Sequence, residues 1–131
     1  MNIKLPLLTS CVSAGFPSPA DDYIEDNLDL NKFLIKQKDS TFFMKVEGDS
    51  MKDLGIFSDN ILIIDRSIKV FEHKVVVVVL NGECTVRTFV KKQGRVFLVP
   101  GNKKYKVIEI VEGMDFEVWG VVTTVLNKFK S

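Results

Sequence analysis

The chain has 131 residues, 46% hydrophobic and 27% charged, which is ordinary globular composition with room for one domain and a real core. Its 18 basic and 17 acidic side chains leave a formal net charge of +1. Composition therefore gives no reason to expect a phosphate-binding surface, and Lys128 and Lys130 near the end read as solvated.

The first eight residues are briefly apolar but broken by Lys4 and Pro6, too short for a signal-peptide core or a bilayer span. Cys11 and Cys84 lie in unlike contexts without a secretory leader, which points to a reducing compartment, so the expectation is a soluble, cytoplasmic protein. Three of the four prolines (Pro6, Pro17 and Pro19) fall in the first twenty residues, among Thr9, Ser10, Ser13, Gly15 and Ser18. Neither a regular helix nor a central strand suits that stretch, and residues 1–22 are expected to form an extended arm outside a domain at 23–131.

Asp29 can cap a short helix whose apolar residues Leu30, Phe33 and Leu34 fall at i, i+3 and i+4, with Lys32, Lys36 and Lys38 on the polar side and Asp39-Ser40 ending it. Short β-prone runs follow at residues 41–46, 61–64, 75–80, 83–87, 95–99, 106–110 and 116–122. The valine run at 75–79 is apolar on both faces, which predicts a strand covered on both sides. Asn81-Gly82 is a strong two-residue hairpin signal, because both positions tolerate positive φ; Gln93-Gly94 and Glu112-Gly113 mark further turns. The pattern predicts a mostly β fold of small folded sheets with one short helix.

The place for chemistry is Gly48-Asp49-Ser50-Met51, directly after the strand at 41–46. A nucleophilic serine needs an exposed hydroxyl, rigid support and nearby N–H groups for an oxyanion. Gly-Asp-Ser alone also makes a routine turn. His73, the only histidine, stands between Glu72 and Lys74 and reads as a surface turn residue rather than a base. The remaining choice of base is a lysine kept neutral by burial, which composition does not identify. No cysteine–histidine cluster has metal-ligand spacing and no glycine-rich loop suits a phosphate, so neither metal nor cofactor is expected.

Residues 14–25 (Ala14-Gly15-Phe16-Pro17-Ser18-Pro19 onward), Leu28-Asp29-Leu30-Asn31, Gly48-Asp49-Ser50-Met51 and Ile61-Leu62-Ile63-Ile64-Asp65 together resemble UmuD proteins. So do Asn81-Gly82-Glu83-Cys84-Thr85-Val86, Val99-Pro100-Gly101-Asn102 with Tyr105, and Val118-Trp119-Gly120-Val121-Val122, all in consistent register from about Ser10 onward. The resemblance implies the LexA/UmuD-type serine autopeptidase fold, with a serine/lysine dyad that cuts its own arm when a RecA–single-stranded DNA filament promotes it. It implies cleavage at the Ala14-Gly15 bond, Ser50 as nucleophile, and the N–H groups of Ser50 and Met51 as candidate oxyanion donors. It also implies a homodimer that joins a UmuC-type polymerase in translesion synthesis during the SOS response. LexA and phage repressors carry a DNA-binding domain before the arm, and only about ten residues precede the match here.

At the position of the family's lysine, the resemblance places Arg87. A guanidinium keeps its proton and cannot be a general base. Lys91 shares Arg87's face but lies about 13 Å along an extended strand, and Lys92 points the other way. Two changes, His73-Lys74 before the valine strand and Phe57-Ser58-Asp59-Asn60 before residue 61, read as loop drift. The alternative to an autopeptidase is a cleavage-deficient UmuD paralogue that acts as a binding or regulatory dimer partner. A type I signal peptidase would need a membrane anchor.

Overall fold

The computed structural model describes residues 3–8 and 24–129. Two compact units part between Lys36 and Gln37. In the first, β1 (Lys4–Leu8) pairs antiparallel with β2 (Ile24–Asp29), and α1 (Leu30–Leu34) follows. With two strands there is no central one, so Pro6, which has no N–H, is accommodated on an edge. The arm-to-domain boundary expected at 22/23 lies outside the described residues, as do Cys11, Ala14 and Gly15.

Asp29 caps α1 as expected, its carboxylate accepting from the Lys32 N–H at 3.3 Å. The helix begins at Leu30 as expected but ends earlier, stopping at Leu34 with extended backbone at Ile35 (φ −114°). It buries no residue, so nothing drives further turns. Beyond it Lys38–Ser40 make a separate 3₁₀ turn, because the Thr41 hydroxyl, at 2.6 Å, and the Ser40 N–H both donate to the Gln37 carbonyl.

The second unit is one seven-stranded sheet, antiparallel at every pairing: β3 (Thr41–Lys45), β4 (Ile61–Asp65), β5 (Val75–Leu80), β6 (Glu83–Lys92), β7 (Arg95–Val99), β8 (Ile108–Ile110) and β9 (Phe116–Leu126). The spatial order is β3-β4-β9-β5-β6-β7-β8. The expected strand at 106–110 starts only at Ile108, while β6 and β9 run further than their apolar runs suggested. β9 is the hub: Phe116 to Val121 pair with β5, and Val121 to Leu126 with β4. One register shift falls in each half, and such irregularities bend and twist a strand, which lets the sheet fold on itself.

Both hairpin signals hold: Asn81 and Gly82 have φ of 50° and 84°, and Gln93 and Gly94 have 52° and 73°. The valine strand is covered on both sides. Val77 packs with Val46, Met51, Ile56, Leu62 and Ile64, whereas Val76 and Val78 pack with Phe89, Leu98 and Val121. Full burial is worth about 1.5–3 kcal/mol per such side chain, so β5 is the pillar on which β6 and its polar residues rest. No helix among the described residues is long and apolar enough to cross a membrane.

Candidate active site

After β3 the chain must turn back toward β4. Gly48, with φ +86°, takes a conformation that side chains resist, and this reversal delivers Ser50 to the turn's crest. The turn is clamped at its base, where the Val46 N–H donates to the Asn60 carbonyl and the Asp59 N–H to the Val46 carbonyl. Met51, 2% exposed, plugs the core cluster below, and its carbonyl accepts from the N–H groups of Leu54 and Ile56. The Met51 side chain is thus structural; any oxyanion role belongs to its N–H. Among the described residues neither the Ser50 nor the Met51 N–H donates to a carbonyl or side chain, as oxyanion donors require.

A second loop braces the first. The Gly101 N–H donates to the Ser50 carbonyl at 2.8 Å, and the Asp53 N–H donates to the Gly101 carbonyl at 2.7 Å. Asn102 Nδ2 donates to the Asp49 carbonyl at 2.9 Å, and the Tyr105 hydroxyl donates to Asp49 Oδ1 at 2.8 Å. A Cβ on Gly101 would sit 3.1 Å from Met51 Cα, so only glycine lets the loops approach this closely. Sequence reasoning gave Gly101, Asn102 and Tyr105 no role; their one signal was membership in the resembling segments.

Arg87 meets Ser50. Paired with Val76 on β6 and 8% exposed, it donates through Nη1 to Ser50 Oγ at 2.9 Å, Thr85 Oγ1 at 2.8 Å and the Val86 carbonyl at 2.7 Å. Thr85 is the partner that sequence reasoning overlooked, although a residue two positions before Arg87 on a strand shares its face. The guanidinium carbon stands 5.7 Å from the Tyr105 ring centroid. Burial pushes the Arg87 guanidinium below its ordinary value, and the charge of Tyr105 opposes that. The hydrogen bond and charge of Asp49 hold the Tyr105 hydroxyl above its own. Arginine starts so high that it remains a cation, so it donates and never accepts. Ser50 keeps its proton in this arrangement.

The other basic candidates do not reach Ser50. His73 is exposed, has φ +62° and stands 3.7 Å from Glu72, a surface turn as expected. Lys91 and Lys92 are exposed beside the Gln93-Gly94 turn, opposite Val96 and Arg95. Beside Ser50 opens a cleft of about 230 Å³ lined by Met44, Val46, Met51, Leu62, Thr85 and Val86, with the exposed Lys45, Glu47 and Cys84 also on its walls. Among the described residues no group of three or more His, Cys, Asp or Glu is placed to hold a metal.

Residues 6–123 match the Peptidase S24-like family. The chain is similar to Protein SamA of Salmonella typhimurium, 38% identical over 126 residues that cover 96% of this chain and 87% of that protein. Protein MucA of Escherichia coli is 35% identical over 121 residues, 92% and 82% of the two chains. The LexA repressor of Caldicellulosiruptor saccharolyticus is 34% identical over 126 residues, 96% of this chain but 60% of the repressor.

Proposed function

The chain belongs to the Peptidase S24-like family, of LexA/UmuD type, and on that premise we propose that it serves SOS mutagenesis as a UmuD-type accessory subunit of an error-prone translesion polymerase. In this reading it is a cytoplasmic homodimer that joins a UmuC-type DNA polymerase. Its substrate segment is the Ala14-Gly15 bond, cut in response to a RecA–single-stranded DNA filament. The likeness to SamA at 38% identity and to MucA at 35% supports the UmuD branch.

The observation that carries the site assignment is the 2.9 Å hydrogen bond from Arg87 to Ser50, which brings the proposed nucleophile and the proposed lysine position together. The same bond sets the activity of this copy. Ser50 is presented for attack, but its partner cannot take its proton, so self-cleavage is absent or very slow. This favours a second reading, in which the chain is a cleavage-deficient paralogue that pairs with an active relative and regulates it.

The deciding experiment incubates the purified chain, alone and with an active relative such as MucA, with RecA–single-stranded DNA. Mass spectrometry looks for a fragment starting at Gly15. Cleavage in trans that Gly15→Val blocks supports the assignment of the bond; cutting elsewhere refutes it. Co-purification with a UmuC-type polymerase tests the partner, and a strictly monomeric species at micromolar concentration in sedimentation refutes the dimer.

A further inference from the structure

Among the described residues Arg87 is the one buried cation, and it forms no ion pair. Its Nη1 is shared among three neutral oxygens, and its Nε has no hydrogen-bond partner. A buried charge without a counter-ion is costly, and neutral acceptors offset only part of that cost. The hydrogens of Ser50 and Thr85 complete the picture. Each hydroxyl oxygen accepts from Arg87, so each keeps its own hydrogen to donate, and both side chains line the same cleft. Two O–H donors backed by a positive charge that has the Tyr105 ring beside it but no ion-pair partner make a site for an anion. Lys45 and Glu47, both exposed, offset each other at the walls.

The cleft selects the kind of anion. Its volume is about 230 Å³, and Met44, Val46, Leu62 and Val86 give it apolar walls. That suits an apolar side chain carried beside a carboxylate. We propose that Ser50, Thr85 and Arg87 form a carboxylate site that holds the free C-terminus of a peptide ending in a small apolar residue. Such an end is what cleavage after Ala14 would leave, and only this choice of peptide rests on the function proposed above. The arginine then converts a hydrolytic site into a product-binding one.

The test is calorimetric titration of the full chain at pH 7 with acetyl-Val-Ser-Ala as the free acid, the same peptide as its amide, and acetate. The acid should bind at least about tenfold more tightly than the amide, since only it carries the charge. Thr85→Val, which removes one donor at constant shape, should weaken the acid about fivefold and leave the amide unchanged. Arg87→Met should abolish the acid-to-amide preference. Should Arg87→Met fail to fold by circular dichroism, Thr85→Val carries the test. Equal binding of acid and amide, or acetate binding as tightly as the peptide, would overturn the proposal. The peptide contains no scissile bond, so a failure here leaves the cleavage assignment standing, and efficient self-cleavage by the wild type leaves this ratio to be judged on its own.

Discussion

Two charged side chains are buried in the seven-stranded sheet, and their neighbours treat them differently. Asp65, 6% exposed at the end of β4, accepts through Oδ1 from the Ser67 N–H at 2.8 Å and hydroxyl at 2.6 Å, and from the Ser40 hydroxyl at 3.1 Å. Burial alone would raise its carboxyl pKa; the hydrogen bonds from Ser67 and Ser40 outweigh that and bring it below the ordinary value. Arg87, almost as buried, keeps an orphan Nε and faces a cleft through two hydroxyls. Where local donors satisfy a buried charge, that charge ties loops to strands and belongs to the fold. Where they fall short beside an opening, the deficit marks a site.

The largest expected effect lies on the Arg87 side. Arg87→Lys should raise self-cleavage by about 10²–10⁴, because a desolvated amine can give up its proton and accept that of Ser50. Mass spectrometry at pH 8 to 10, with Arg87→Lys/Ser50→Ala as control, reads this directly. Efficient Ser50-dependent cutting by the wild type would reveal another base, and inertness of Arg87→Lys would favour the binding-partner reading.

Asp65→Ala should cost about 2–4 kcal/mol in urea unfolding, since it strands donors on Ser67 and Ser40. The effect depends on pH. The folded-state pKa of Asp65 is depressed, so its contribution is fully present above the unfolded value of about 3.9 and is lost as pH falls through the folded value. The stability gap between wild type and Asp65→Asn should therefore close below about pH 4. A gap that persists there would show that the hydrogen bonds do not depend on the carboxylate's charge.

Gly101→Ala should destabilise by about 1–3 kcal/mol, because the new methyl meets the Met51 backbone rather than a movable side-chain tip. It should also slow whatever cleavage Arg87→Lys restores, by displacing Ser50. Smallest of all should be the stability change for Arg87→Met, within about 1 kcal/mol, because an apolar replacement removes an uncompensated charge along with its hydrogen bonds. A loss above about 3 kcal/mol would place Arg87 with Asp65 as a structural residue and erase the contrast.

Much of this molecule was legible before folding. Asn81-Gly82 and Gln93-Gly94 announced their hairpins because φ > 0 is a local property of those residues. The run at 75–79 announced a doubly covered strand because no face of it is polar. The helix's end was misjudged because it is set by absent packing and by the Thr41 hydroxyl and Ser40 N–H that capture the Gln37 carbonyl, which periodicity does not register.

For the site, the sequence by itself determined the residue types: a serine after a turning glycine, and an arginine that cannot be a base whatever surrounds it. Only the tertiary structure decided that these two touch, that Thr85 shares the same guanidinium nitrogen, and that Gly101 braces Ser50 from fifty residues away. The physical reason is range. Backbone preference and proton affinity reside in a residue and its immediate neighbours, whereas a hydrogen bond of 2.9 Å between positions 50 and 87 exists only because β5 and β6 are stacked on a buried core that fixes both.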